Sequence, residues 1–178
     1  VFANISGVDT SNKNVNSGFS DVPKGKWYTA AVTWAAKNGI VNGVGGGRFD
    51  PNAKVTREQM CVMIVNYIEN YQKRTLSVTT NASTFADDAK IAGWAKTAVY
   101  KCAKAGLVSG VGDGKFDPKA SATRAQGATI FTNLFKEYIL DEKVNNKSIV
   151  VLVDDLDDFM NYYKDGIARW KFTNNKVL

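Results

Sequence analysis

Two arginines stand where a helix would ordinarily avoid them. Arg57 lies in Thr56-Arg57-Glu58-Gln59 and Arg124, 67 residues later, in Thr123-Arg124-Ala125-Gln126. In both places Thr and the Gln three positions on can exchange capping bonds, so each arginine falls in the first turn of a helix. The positive end of the helix dipole opposes a cation there by up to about 1 kcal/mol. Something must outweigh that term. A carboxylate such as Asp21 or Asp87 in a neighbouring part of the chain would do so structurally, and an external anion would do so functionally, because a guanidinium presents paired donors to a carboxylate.

Other groups admit fewer chemistries. Paired carboxylates drawn from Asp21, Asp50, Asp87 and Asp117 could in principle process a sugar, since glycosidases need two opposed acids. The chain has no histidine, which excludes His-based triads, HExxH metalloproteases and ordinary zinc hydrolase sites. The turns GVGGGRFDP from Gly43 and GVGDGKFDP from Gly110 lack the Gly-Lys-Ser/Thr ending of a phosphate loop and the ligand series of an EF-hand. No cofactor and no metal are called for. Cys61 and Cys102 sit among apolar residues, where buried free thiols and a disulfide are the two readings and the thiol is favoured.

The elements that position these groups come in two copies. The first runs FSDVPKGKWYTAAVTWAAKNGIVNGVGGGRFDPNAKVTREQ from Phe19, and the second runs FADDAKIAGWAKTAVYKCAKAGLVSGVGDGKFDPKASATRAQ from Phe85. Trp27 returns as Trp94, Gly39 as Gly106, Phe49 as Phe116 and Arg57 as Arg124 at a constant offset, and repeated helical units of this kind bury their faces against one another. The spacing of Trp27, Ala30, Ala31, Trp34 and Ala35, and of Trp94, Ala98, Cys102 and Ala103, predicts a short helix ending near Gly39 or Gly106. Its tryptophans are expected first as core anchors and second as sugar-stacking rings. A glycine turn follows, then a longer helix opening at Thr56 or Thr123. Met60, Ile64, Tyr67, Ile68 and Tyr71 form its buried side in the first copy, and Ala128, Phe131, Leu134, Phe135 and Tyr138 in the second.

This ordered pattern of Phe-x-Asp, Trp, Gly-Ile/Leu-Val-x-Gly, Phe-Asp-Pro and Thr-Arg-x-Gln resembles the S-layer homology domain. The resemblance covers two complete copies, from Phe19 to about Tyr71 and from Phe85 to about Tyr138. It implies a mainly α protein of tandem repeats without catalytic activity. The implied function is noncovalent attachment to an anionic secondary cell wall polymer, commonly a pyruvylated glycan, outside a Gram-positive or related cell. Mapped onto this chain, the implied ligand-binding positions are Arg57, Arg124, Gly43, Gly110, Asp21 and Asp87, with Trp27 and Trp94 as sugar contacts. Three repeats commonly form a pseudo-threefold helical prism with grooves between neighbours. Here Gln59 and Gln126 replace the usual acidic residue, Asp88-Ala89 stands in place of Val22-Pro23, and a third complete copy is absent from the sequence. Dimerisation, the remainder of a surface protein or the nonrepeat tail would then complete the interface.

The resulting division is an N-terminal segment 1–18, repeat 1 at 19–71, a linker 72–84 that reads as loop with a short strand over Leu76 to Thr80 as the alternative, repeat 2 at 85–140 and a nonrepeat segment 141–178. Residues 1–18 read as polar loop, with a degenerate structural element as the alternative that Phe2, Ile5 and Val8 alone support; Val1-Phe2-Ala3 would fit the end of a cleaved export signal but does not establish export. In the last segment, residues 148–153 favour a strand, followed by a helix bearing Leu156, Phe159, Met160 and Tyr163. Asp154, Asp155, Asp157 and Asp158 would stabilise its start, with cation binding as the less favoured alternative, and Trp170 and Phe172 would either close a small core or pack against another copy. The formal charge of +6 favours an anionic partner. Nucleic acid is disfavoured because the charge is dispersed, and no apolar run reaches the roughly 18 residues that span a membrane. Two competing classes remain at this level: a surface-assembly module that ignores glycan, and a wall-processing enzyme.

Overall fold

The computed structural model describes residues 1–136. Tyr138 and the strand, helix, acidic cluster and aromatic residues expected beyond residue 140 lie outside them. Five α-helices occur in the described part: α1 (Phe2–Ile5), α2 (Thr29–Lys37), α3 (Arg57–Asn66), α4 (Gly93–Lys104) and α5 (Arg124–Leu134). The protein is mainly α-helical, as its repeats require. A short 3-10 turn at Asp88–Lys90 precedes α4, and a π-helical turn at Tyr67–Tyr71 prolongs α3.

Both long helices begin with complete capping boxes. Thr56 Oγ1 accepts the Gln59 N–H while the Gln59 side chain accepts the Thr56 N–H, and Thr123 and Gln126 repeat the arrangement. Two otherwise orphaned donors are satisfied at each start, which fixes where the helix opens. The first helix of each repeat stops at Gly39 or Gly106, both with positive φ that glycine adopts without a Cβ penalty; the expected order of a short helix and then a longer one is not met by the α-helical ranges of repeat 2, where α4 has 12 residues and α5 has 11.

One core joins the two repeats. Helix α3 packs along α4, and Ile64, Ile68, Val99, Cys61 and Cys102 are wholly enclosed there. The expected stripe Met60, Ile64, Tyr67 and Ile68 is buried, with Tyr71 packed at its margin against Trp34. In α5 the buried pair is Ile130 and Leu134, while Phe131 and Phe135 are half covered. Repeat 2 thus has a less fully covered long helix than repeat 1.

The structure decides two alternatives that the sequence leaves open. Residues 1–18 are not wholly loop, because Phe2 and Ala3 of α1 are buried; Phe2 stacks on Tyr67 at 4.7 Å and meets Phe131 edge-on at 5.4 Å. No strand forms over Leu76 to Thr80. That stretch has no partner strand, and the N–H groups of Thr79 and Thr80 instead donate to the Lys104 carbonyl at the end of α4, at 2.8 and 2.9 Å. Among the described residues the only β pairing consists of isolated bridges, including Thr56 with Ser121 across the two repeats.

Candidate functional site

Each repeat locks its glycine turn with its leading aspartate. The two carboxylate oxygens of Asp21 accept the N–H groups of Phe49 and Asp50, each at 2.8 Å. Asp87 does the same with Phe116 and Asp117. The Phe49 N–H is the first cause holding Asp21 below the usual carboxylate range. Burial works against the Asp87 carboxylate, but the Phe116 and Asp117 N–H groups outweigh it and hold that pKa low as well. Asp50 and Asp117, the second residues of each clamp, sit at φ 59° and 55°. A two-bond clamp holds this left-handed conformation in place.

The turn's glycines serve close approach. A Cβ on Gly43 would stand 2.3 Å from the Arg48 carbonyl oxygen, and one on Gly110 would stand 2.7 Å from that of Lys115. In the structure Val44 N–H and Val111 N–H donate to those same carbonyls at 2.8 Å. Gly43 and Gly110 are therefore required by the turn itself.

The two arginines differ sharply in setting. Arg57 is 4% exposed: its Nε donates to the Phe116 carbonyl and its Nη2 to the Ser109 carbonyl, both at 2.8 Å, and its Cζ lies 4.7 Å from the Phe116 ring centroid. Its structural partners are backbone carbonyls and a ring of the second repeat, where the sequence suggested a carboxylate. Burial lowers its pKa, an effect only partly offset by Cys61, Asp117 and Asp87. Arg124 is exposed.

Around Arg57 the start of α3 is sewn to repeat 2. Arg57 N–H donates to the Ala120 carbonyl at 3.0 Å, Glu58 N–H to that of Pro118 at 3.1 Å, and Ala122 N–H to that of Val55 at 3.0 Å. Glu58, 2% exposed, accepts the Ala92 N–H at 3.0 Å and pairs with Lys119. Sequence reading gave Glu58 and Lys119 no role. The available signal was the contrast between copies, since Ala125 and Asn52 occupy the matching positions.

Trp34 packs at the margin of the core, but Trp27 and Trp94 are not core anchors. Trp27 is 80% and Trp94 63% exposed. Trp27 precedes α2 and stands edge-on to Tyr28, whereas Trp94 is in the first turn of α4, whose inward positions are taken by the smaller Ala95, Ala98 and Val99. Trp94 forms one wall of a cleft of about 490 Å3. The rest of the cleft comes from repeat 1, including Gly43, Phe49, Lys54, Gln59 and Asn66.

Cys61 and Cys102 are free and fully buried, and the Cys102 thiol donates to the Cys61 carbonyl at 3.6 Å. Contact with the Cys61 thiol, then burial, pushes the Cys102 thiol well up, which keeps it a packing group. Among the described residues no group of acids and cysteines could hold a metal, and no helix is long and apolar enough to cross a membrane.

The family model for the S-layer homology domain matches residues 18–61 and 84–128, together half of the chain. An amylopullulanase of Thermoanaerobacterium thermosulfurigenes is 38% identical over 122 residues, covering 67% of this chain and 6% of that protein. Exoglucanase XynX of Acetivibrio thermocellus is 38% identical over 134 residues, 74% of this chain and 11% of its own length. S-layer protein sap of Bacillus anthracis is 30% identical over 127 residues, 71% of this chain and 15% of its length. The chain thus spans a small part of each of these relatives.

Proposed function

Since the chain belongs to the S-layer homology domain family, we propose that it anchors a surface protein by holding a pyruvylated secondary cell wall polymer in the cleft between Trp94 and the glycine turn of repeat 1. Domains of this family bind cell-wall secondary polymers noncovalently and are non-catalytic, and they work outside the membrane at the wall of Gram-positive-type cells. The paired-carboxylate enzyme reading is set aside accordingly. Asp21 and Asp87 already commit both oxygens to backbone donors.

The observation that carries the proposal is the cleft's mixed wall. An exposed indole offers a flat apolar face to a sugar ring, and the exposed residue Lys54 lines the same cleft. Gln59 and Asn66 supply amides for hydroxyl groups. A ketal-linked pyruvate adds one carboxylate per modified sugar, and a net charge of +6 favours its approach. The Asp21 clamp and the Arg57 joint fix the two sides of this cleft.

Binding to three wall preparations tests this reading: intact walls, walls stripped of their secondary polymer, and walls from cells that cannot pyruvylate it. Retention on the first alone is expected. Equal retention on stripped walls would overturn polymer binding, and equal retention on unpyruvylated walls would overturn the pyruvate assignment while leaving the polymer.

A further inference from the structure

Among the described residues, the contact that joins repeat 1 to repeat 2 leaves its two complementary halves unused elsewhere. In the internal joint, the Thr56-Arg57 helix start is the plug. The socket is the second repeat's Ser109 and Phe116 carbonyls, the Phe116 ring and the edge from Pro118 to Ala122. Subtracting the repeat offset gives the corresponding socket on repeat 1: Asn42, Phe49 and the edge from Pro51 to Val55. That socket is open. Phe116 is 0% exposed beneath Arg57, whereas Phe49 is only half covered; Pro118 is buried, whereas Pro51 is half covered; Ala53 and Val55 are exposed. Asn42, Phe49, Pro51, Ala53 and Val55 all border the 490 Å3 cleft. The matching plug, Thr123-Arg124, is also complete, with its capping box formed and its arginine exposed.

We propose that the open socket of repeat 1 receives Thr123-Arg124 of a second copy of this chain, making a head-to-tail joint that repeats the internal one. Arg124 Nε and Nη2 then donate to the Phe49 and Asn42 carbonyls, with the guanidinium over the Phe49 ring. The N–H groups of Arg124 and Ala125 meet the Ala53 and Pro51 carbonyls, and Val55 N–H meets the Ala122 carbonyl. Every one of these bonds copies one already formed within the chain.

The side chains that differ between the two joints differ together. Within the chain, buried Glu58 is matched by Lys119. Between copies, Ala125 stands in place of the acid and Asn52 in place of the base, so no charge is buried without a partner. Losing only one of the pair would have disfavoured the joint; losing both leaves it neutral. Plug and socket belong to different repeats, so the contact is heterologous and either closes into a ring or continues as a chain of copies.

The socket shares Asn42, Phe49, Pro51, Ala53 and Val55 with the cleft of the polymer reading, so plug and polymer compete for that surface; the joint is therefore tested on the chain alone, by sedimentation velocity without any glycan. Self-association rising up to roughly 100 µM is expected, as suits a small polar joint. Arg124→Ala removes the plug and Ala53→Trp blocks the socket at an exposed position, and each should weaken association by about tenfold or more. The decisive arm mixes the two variants: one intact plug and one intact socket remain, so the mixture should form dimers that neither variant forms alone. Circular dichroism confirms that both keep their helix content; Lys54→Trp replaces the socket variant if Ala53→Trp does not fold. A wild-type chain that stays monomeric, a folded Arg124→Ala variant that associates undiminished, or a mixture that does not pair would each overturn the proposal.

Discussion

Arg57 is held twice by one residue of the next repeat: its Nε donates to the Phe116 carbonyl at 2.8 Å while its guanidinium lies over the Phe116 ring, 4.7 Å from the centroid. The backbone bond fixes the plane of the guanidinium, and the ring sets its depth. A second bond to Ser109 leaves a lysine unable to substitute, since one ammonium cannot reproduce the planar fork.

Stability should therefore separate the two arginines. Arg57→Ala leaves the Phe116 and Ser109 carbonyls without their donor and uncovers Phe116, costing about 3 kcal/mol; Arg57→Lys should cost about 1 to 2 kcal/mol. Arg124→Ala at low protein concentration should stay within about 0.5 kcal/mol of wild type, because its side chain is exposed. Urea unfolding of the three variants checks this. Equal losses at both positions would show that Arg124 has a structural partner of its own.

Sequence reading reached the repeat, the capping boxes, the glycine stops and the buried stripe of α3, because these follow from short-range spacing and local chemistry. It gives Arg57 and Arg124 the same role; the local contrast is the neighbour, Glu58 in one copy and Ala125 in the other, while what buries Arg57 is its contact with repeat 2, a long-range fact. It also favoured core positions for Trp27 and Trp94, since size and apolarity argue for burial. The α3–α4 packing overrides that preference, having room at its interface for Ala95, Ala98 and Cys102 but not for an indole on the same face. The α1 helix escaped notice because four residues carry too little pattern; only the later partners of Phe2, Tyr67 and Phe131, give it meaning.

Acid should loosen the glycine turns. Asp21 and Asp87 are held below the ordinary carboxylate value of 3.8, so they bind protons less readily folded than unfolded. Their contribution is complete above that ordinary value and is lost as pH falls through the depressed folded value. Thermal melts from pH 7 downward should show a transition temperature little changed by these two groups to about pH 5 and falling below about pH 4. Asp87→Asn replaces one acceptor oxygen by an NH2 group facing a donor, so the variant should be less stable at pH 7 by about 1 to 3 kcal/mol and should show a shallower acid decline. A variant whose acid decline parallels wild type would remove Asp87 from the groups responsible.

Trp94 supplies the clearest optical test of the cleft. Its indole is 63% exposed and lines the same cleft as Lys54 and the glycine turn, whereas Trp34 is half buried against Tyr71. Acrylamide should quench the exposed tryptophans of the free protein readily. Polymer laid across the cleft would shield Trp94 but leave Trp27, which is not among the cleft-lining residues. The fourth tryptophan, Trp170, lies outside the described residues, so a Trp27→Phe, Trp170→Phe background leaves Trp94 beside only the half-buried Trp34: added polymer should move the emission to shorter wavelength and lower its quenching. Trp94→Ala in the same background should weaken polymer binding by about 1 to 2 kcal/mol, as expected for a lost aromatic platform. Lys54→Ala should weaken it too, more so at low salt than at high, because an exposed charge is screened beyond about 10 Å at 0.1 M. The fold should be untouched in both, as neither side chain is buried. If polymer still binds the folded Trp94→Ala variant with wild-type affinity and leaves the Trp94 emission unshifted in its parent, the polymer lies elsewhere on the repeats and the cleft does not hold it.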